Sequence, residues 1–301
     1  IFLVLLILVG LTYAYFLTQI IGNTNPKSIS VTTANLELTY DDGTGTLTST
    51  NKLVPNTTVS NKTFSVENTG DSAVDSYAVI LEDLKITYAN TVGDITAGTV
   101  TYLNRPQDFK LTITCSSSVT GKTCNGYDDV MPSTNDILLT NSIEKDEIQT
   151  YTLVLTYVEA GVNQSADMNK SISAKLNIID TKGTVDVEGT VTNYSSGDYV
   201  QVNSEPKISY LDKDGKYKVV GLKPDNHKVS IYNTSNTTTA SSSTNMTITK
   251  GDNASVSGTN ITITDESRII TIDVDAKNKT YDISEEIKTS SSNTSQYKTI
   301  Q

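Results

Sequence analysis

Apolar and polar residues alternate along many short segments of the chain, and turn-forming residues separate these segments. Examples are Tyr77–Leu81, Phe109–Cys115, Tyr151–Tyr157 and Ile172–Ile178. Because successive side chains of a strand point to opposite faces of a sheet, this period of two predicts strands with one buried face. Clusters of Gly, Asn and Asp follow several of these segments and predict turns. Since the pattern contains no amphipathic helix of useful length, we expect an all-β fold.

The strand pattern predicts two β-sandwich domains. The first covers residues 23–180 and is expected to be an Ig-like or jelly-roll sandwich, because its strands and turns follow at sandwich spacing. The second covers 181–287 and is expected to be a smaller sandwich, in which segment 210–231 predicts three strands joined by two turns. Residues 233–260 are rich in Asn, Ser and Thr, which predicts long loops or a partly ordered hairpin. The polar tail 288–301 is expected to be disordered.

The N-terminal segment, residues 1–22, carries no charge, and the first charged residue is Lys27. The unbroken apolar run at 1–11 indicates that this segment enters a membrane at least transiently. In one interpretation it is a signal peptide that is cleaved between Ala14 and Tyr15. In the other it is retained over its full length as a transmembrane anchor, because ~20 apolar residues span a bilayer. Both interpretations place the rest of the chain outside the cytoplasm.

The composition favours a thin core and argues against nucleic-acid binding. Hydrophobic residues make up 36% of the chain, and its aromatic residues are 16 Tyr and 4 Phe with no Trp. Such usage suits sheets that have one packed and one solvated face. The formal net charge is -11 and the isoelectric point is near 4.6. Because binding to phosphates requires clustered Lys and Arg, we expect no nucleic-acid partner.

The two cysteines of the chain, Cys115 and Cys124, lie close together in a Ser- and Thr-rich segment. In an oxidising compartment they predict a disulfide across a short hairpin, which would stabilise the fold by about 2 to 3 kcal/mol. The alternative is two independent thiols. A zinc site is not expected, because the chain has no second pair of cysteines.

Catalytic motifs are missing from the sequence. Its single histidine, His227, follows a Pro-Asp-Asn segment and is interpreted as an exposed turn residue. Hydrolysis by a nucleophilic Ser or Cys needs a His that transfers a proton. The chain also has no Gly-x-Ser-x-Gly elbow, phosphate-binding Gly-rich loop or His-Glu-x-x-His motif. We therefore expect no enzyme activity and assign no catalytic, cofactor-binding or metal-binding residue.

Pairs of acidic residues leave calcium binding as an alternative use of three turns. None of these pairs is followed by the bidentate Glu that closes a calcium loop, so ordinary turns are the preferred interpretation. The pairs are Asp41 with Asp42, Asp128 with Asp129, and Asp212 with Asp214.

Four segments resemble the TasA and camelysin family of secreted biofilm-fibre proteins from Gram-positive bacteria. They are Gly10–Phe16, Asn35–Leu38, Leu53–Gly70, and Tyr151–Tyr157 together with Ser171–Ile178. The resemblance covers about the first 180 residues and implies a β-sandwich subunit of an extracellular fibre. Camelysin-type relatives are described as metalloproteases, but this chain lacks a recognisable zinc triad.

A second resemblance concerns the C-terminal part of the chain. Asp212–Tyr217 and Gly221–Pro224 are similar to segments of carboxypeptidase-regulatory-like or Cna-B-like modules. Such modules are small β-sandwiches that act as stalks and spacers on bacterial surfaces, so the resemblance implies the same role here.

These observations predict a non-enzymatic structural protein of a bacterial cell surface or extracellular matrix. After cleavage, the new N-terminus would be an apolar segment that can add as a strand to a neighbouring subunit and so build filaments. The side chains assigned to this strand donation are Tyr15, Phe16, Leu17, Ile20 and Ile21. The alternative is a monomeric adhesin that keeps residues 1–22 in the membrane and binds a glycan or a protein. A surface hydrolase is a third hypothesis that rests on no motif.

Overall fold

The computed structural model shows an all-β protein, which confirms the predicted fold class, and the described residues contain no α-helix. The described ranges are 17–22, 28–31, 36–41, 47–48, 57–71, 73–181, 184–202, 207–222, 226–233, 242–248, 255–257, 260–263, 268–277, 280–287 and 296–299. The apolar run at 1–11, Ala14, Tyr15 and Phe16 lie outside them. No helix in the described ranges is both long and apolar enough to span a bilayer.

Strands make up most of the described residues. The first twelve are β1 (Leu17–Gly22), β2 (Ser28–Val31), β3 (Leu36–Asp41), β4 (Leu47–Thr48), β5 (Thr57–Asn68), β6 (Val74–Tyr88), β7 (Val100–Thr101), β8 (Phe109–Ser117), β9 (Tyr127–Val130), β10 (Asp136–Ile143), β11 (Ile148–Tyr157) and β12 (Lys170–Asp180). Short 3-10 turns at Pro106–Asp108 and Ser165–Asp167 precede β8 and β12.

The remaining strands lie after residue 184. They are β13 (Val185–Thr192), β14 (Asp198–Val202), β15 (Lys207–Tyr210), β16 (Lys216–Leu222), β17 (Asn226–Asn233), β18 (Ser242–Ile248), β19 (Ser255–Ser257), β20 (Asn260–Ile263), β21 (Arg268–Asp275), β22 (Thr280–Ile287) and β23 (Gln296–Thr299). Of the three strands that the sequence predicts in segment 210–231, β16 lies within it and β17 extends two residues beyond it, whereas β15 ends at its first residue, Tyr210.

The chain divides into two compact units, and both are discontinuous in sequence. Unit 1 combines residues 1–73, 85–133 and 143–176. Unit 2 combines 74–84, 134–142 and 177–301. Parts of β6, β10 and β12 therefore belong to unit 2 together with all the strands from β13 onward.

In unit 1 an antiparallel sheet has the strand order β2-β3-β5-β11-β8-β9. Alternate residues of its central strands are buried, as the period of two predicts. On β5 and β11, Phe64 and Tyr151 are register partners, and their rings stack with centroids 4.9 Å apart. Another sheet has the order β10-β6-β12-β1-β4, with β7 paired to β6, and parts of its strands β6, β10 and β12 belong to unit 2.

In unit 2 two sheets enclose a core of aliphatic side chains. Their strand orders are β16-β13-β21-β22-β23 and β15-β14-β17-β18-β20-β19. Both sheets contribute buried residues to one cluster, as Val187 and Ile272 do from the first sheet and Val200 and Ile231 from the second. The hydroxyl of buried Tyr217 donates a hydrogen bond to the Ile272 carbonyl at 2.8 Å, which satisfies its only polar atom.

Unit 2 has a second, smaller apolar cluster. Buried Ala78, Ile80 and Val220 form it, and the half-buried Ile137 and Ile179 pack against them. Next to it, the Asn135 side chain accepts a hydrogen bond from Leu84 N and donates one to the Ile208 carbonyl. Segments that are distant in sequence thus share one core.

Candidate assembly surface

Strand β1 is held in its sheet mainly by one neighbour. Over its whole length it pairs in parallel with β12, in the continuous register that runs from Leu17 opposite Ser171 to Gly22 opposite Leu176. On its other side it pairs with the two-residue strand β4, where Gln19 lies opposite Thr48. Among the described strands, β1 therefore has a complete partner on one side and a short one on the other.

Strand β1 is thus the last long strand at this end of the sheet, next to the two-residue edge strand β4. A parallel partner supplies evenly spaced backbone hydrogen bonds, and these do not depend on which chain the strand comes from. Of the five residues assigned to strand donation, Leu17, Ile20 and Ile21 lie in β1.

The structure joins Cys115 and Cys124 in a disulfide, and their Cα atoms are 5.7 Å apart. Cys115 belongs to β8, while Cys124 precedes β9, which returns along β8 in antiparallel register. Residues 116–123 form the loop between them, called the disulfide loop below. Immediately after it, Gly126 passes so close to β8 that a Cβ atom there would lie 2.3 Å from the Ile113 carbonyl oxygen. Only glycine allows the chain to return at this distance.

Glu147, between β10 and β11, is a buried carboxylate that holds the disulfide loop. Its Oε1 accepts hydrogen bonds from Ser117 Oγ and Gln149 Nε2, each at 2.7 Å. Its Oε2 accepts from Lys122 Nζ at 2.6 Å and from the backbone N–H of Glu144 at 2.7 Å. Burial alone raises the pKa of such a carboxyl, but these four donors outweigh it and lower the pKa of Glu147 to about 2.

A second group of buried charges lies beside the two 3-10 turns. Asp167 accepts hydrogen bonds from Lys170 Nζ at 2.8 Å and from the backbone N–H groups of Asn104 and Arg105. Arg105 in turn binds the buried Asp108 through two nitrogens, at 2.8 and 2.9 Å. Opposite charges are paired throughout, so this group acts as a structural clamp between the segment at 104–108 and the start of β12.

His227 lies on β17 and is 6% exposed. The expectation that it is an exposed turn residue is therefore wrong. The strand begins earlier than its Pro-Asp-Asn approach indicates, and it places His227 opposite Met246 of β18.

The acidic pairs have local roles where they are described. The Asp212 carboxylate accepts backbone hydrogen bonds from Asp214 and Lys216 at 2.8 and 2.9 Å, which makes it part of a tight turn. Asp128 accepts from Lys110 and Thr112 on the neighbouring strand. Within the described ranges, no three His, Cys, Asp or Glu side chains are grouped so that they could hold a metal ion. Asp42 lies outside the described residues.

The sequence indicated the disulfide pair but not the two groups of buried charges. A signal for Glu147 was present, because it continues the alternation of buried positions Gln149, Tyr151 and Leu153 on β11. Charged residues are usually assigned to the solvated face, which is why this position was missed.

No protein-family model matches the chain, and no curated protein matches it. The resemblance to TasA and camelysin therefore stays a prediction.

Among solved structures, the chain is weakly similar to bacterial pilin subunits. A variant of BcpA, the major pilin subunit of Bacillus cereus, is 13% identical, with a TM-score of 0.15 over 76% of this chain and 70% of that one. The T6 backbone pilin of serotype M6 Streptococcus pyogenes is 9% identical, with a TM-score of 0.17 over 71% of this chain and 52% of that one. The pilus 2b backbone protein of group B streptococcus is 12% identical, with a TM-score of 0.16 over 72% of this chain and 95% of that one.

Proposed function

We propose that this chain is a non-enzymatic structural subunit of a fibre on the surface of a Gram-positive-type bacterium or in its extracellular matrix. Its subunits polymerise when β1 of one copy leaves its own sheet and pairs with β12 of the next copy. The observation that carries the proposal is the pairing of β1 over its whole length with β12, in which its six residues match Ser171–Leu176 one by one, whereas β4 pairs with only two of them.

The chemistry of the sequence supports a structural role. Its single histidine is buried on a strand, and its two cysteines are bonded to each other. The net charge of -11 keeps separate subunits dispersed until a specific strand exchange joins them. Backbone hydrogen bonds along β12 would supply the affinity of each joint, and the alternation of side chains on β1 would fix its register.

Cysteine cross-linking across the β1–β12 register tests the exchange. Ile21 and Lys175 are register partners, and Lys175 is exposed. We would prepare one Ile21→Cys variant and one Lys175→Cys variant of the chain that starts at Tyr15, mix them and oxidise them during assembly. Exchange predicts a disulfide between the two different chains, seen as a covalent dimer on a non-reducing gel and located by peptide mass spectrometry.

The double variant, with both cysteines in one chain, is the matched control. Oxidation before assembly ties β1 to its own β12, so filaments should be absent by electron microscopy and should form after reduction. Deletion of residues 15–22 should likewise leave a folded monomer that makes no filaments. Filaments formed by the oxidised double variant or by the deletion variant would show that β1 exchange is not the assembly mechanism.

A further inference from the structure

The disulfide loop is folded by hydrogen bonds that do not involve sulfur. The backbone N–H of Ser118 donates to the Ile148 carbonyl at 2.8 Å, and the Ser118 hydroxyl oxygen accepts from Ile148 N at 2.9 Å. Within the loop, Val119 N donates to Ser117 Oγ at 3.0 Å, and Lys122 N donates to the Val119 carbonyl at 3.2 Å. The loop therefore has a defined conformation that rests on β11 and on its own turn.

Glu147 holds this loop on both sides of the disulfide. Ser117 follows Cys115 by two residues, and Lys122 precedes Cys124 by two residues. Both side chains end on the same carboxylate, Ser117 on one oxygen and Lys122 on the other. A single buried carboxylate thus binds both the outgoing and the returning arm of the loop, each two residues from a cysteine.

The carboxylate is itself firmly placed by the core of unit 1. Gln149 donates to Glu147 and accepts a hydrogen bond from the hydroxyl of buried Tyr151 at 3.0 Å. Tyr151 stacks on Phe64 of β5. The backbone of Glu147 also accepts from Asn68 N at 3.0 Å, at the end of the same strand. Its position is therefore set by contacts that exist whether or not the cysteines are joined.

We propose that Glu147, acting through Lys122 and Ser117, is a positioning residue for formation of the Cys115–Cys124 disulfide. In the reduced chain, the ion pair and the hydrogen bond fold the loop so that the two thiols already face each other. The effective concentration of one thiol at the other is then higher than the short loop alone provides. Because the two effects are thermodynamically linked, closing the disulfide stabilises the contacts of Glu147 with Lys122 and Ser117 by the same factor by which those contacts raise the effective concentration.

The oxidant in this step is a small-molecule disulfide such as oxidised glutathione. The thiolate of one cysteine attacks it, forms a mixed disulfide and releases one glutathione thiolate. The second cysteine thiolate then attacks the protein sulfur of the mixed disulfide and displaces the second glutathione. One oxidised glutathione is reduced to two glutathione thiols, which take up the two cysteine protons.

The experiment measures this effective concentration in the folded full chain. Protein is equilibrated with mixtures of reduced and oxidised glutathione, trapped by alkylation and quantified by mass spectrometry. In Lys122→Met, we expect the effective concentration to fall about tenfold, the equivalent of one charge-assisted hydrogen bond. Lys122→Arg preserves the ion pair and should stay within about twofold of the wild type. The effective concentration in Glu147→Gln should fall at least as far as it does in Lys122→Met.

Lys110→Met is the matched control, because Lys110 lies on the same strand as Cys115 and pairs with Asp128 on the exposed edge. Its effective concentration should equal that of the wild type. Glu147→Gln removes a buried charge and can unfold the chain. The decisive variant is therefore Lys122→Met, because the Lys122 side chain is 18% exposed and its replacement leaves the core intact. Equal effective concentrations in the wild type and Lys122→Met would overturn the proposal, and so would an equal loss in Lys122→Met and Lys110→Met.

Discussion

Glu147 keeps a negative charge out of contact with water, and the four donors around it decide its effect on stability. Its pKa falls from 4.5 to about 2 on folding. A carboxylate whose pKa is lower in the folded state contributes stability above its unfolded pKa. That contribution is lost as the pH falls through its folded pKa. The affected window therefore runs from about pH 4.5 down to about pH 2.

We predict that Glu147→Gln flattens the dependence of unfolding free energy on pH in this window. Between the two ends of this pH window, the unfolding free energy of the wild type should fall by roughly 2 kcal/mol more than that of the variant. The reason is that the wild type has an ionisable group at position 147 and the variant does not. Urea unfolding followed by tyrosine fluorescence at a series of pH values measures the difference. Glu159→Gln is the control, since Glu159 is exposed, and it should follow the wild type. A variant curve parallel to the wild-type curve would contradict the assigned role of Glu147.

For a charged residue within a strand, residue type predicts exposure, whereas its position in the alternating pattern can predict burial. Spacing was the better guide on β5, where Lys62 shares its face with Phe64 and Val66 and is only 1% exposed. A lysine is assigned to the surface by type, because burying its charge without a partner is costly. The sequence does not show which distant groups compensate that charge. The sequence pattern therefore places such a residue on the buried face without showing what pairs with its charge.

At the scale of elements, the turn between β15 and β16 shows how completely a short motif can determine structure. The Asp212 side chain accepts two backbone N–H groups, and Gly215 N donates to the Asp212 carbonyl at 3.0 Å. Gly215 has a φ of 76°, in the left-handed region that favours glycine. The sequence predicts a turn here from Asp214 and Gly215, and the structure has one, but the side chain that accepts its backbone N–H groups is that of Asp212.

We predict that Gly215→Ala destabilises unit 2 by more than backbone strain alone accounts for. A Cβ at this position would lie 2.3 Å from the Val191 carbonyl oxygen and 2.8 Å from the Tyr194 ring. Gly93→Ala is the matched control, because its φ of 57° is also left-handed but no atom lies within 4 Å of the added Cβ. The control should cost about 1 kcal/mol and Gly215→Ala at least twice that in denaturant unfolding. Equal costs would mean that the backbone at Val191 moves away freely.

At the scale of the whole chain, the sequence predicted strands more accurately than their association. The strands Tyr151–Tyr157 and Phe109–Cys115 were recognised from alternation alone, and both lie within strands of the structure. The recruitment of residues 74–84 and 134–142 into unit 2 left no sequence signal. Alternation reveals that a strand has a buried face, but it does not reveal which distant segment covers that face.

The contribution of residues 74–84 to the core of unit 2 can be tested at Val220. Val220 is 5% exposed because Ala78 and Ile80 pack against it. In the full chain, Val220→Ala should therefore cost about 1 to 2 kcal/mol of unfolding free energy. In a fragment of residues 181–301, which lacks these partners, the same substitution should have almost no effect.

Thermal and denaturant unfolding of the four proteins measures this difference. An equal cost in the chain and in the fragment would show that Val220 is buried without residues 74–84. Ala78→Gly in the full chain is a second test, because it removes one of the side chains that pack against Val220 and should reduce the cost of Val220→Ala.

The parallel pairing of β1 with β12 also sets an order of events in time. A ribosome makes β1 before it makes Lys170–Asp180, the strand that pairs with β1, and most of unit 1 lies between the two. Contacts between such distant segments form slowly, because a long loop must close first. Throughout that interval a newly made chain carries β1 without the strand that pairs with it over its whole length. Under the proposed strand exchange, the delay between synthesis of the two strands is a period in which pairing with a neighbouring copy competes with pairing within the chain.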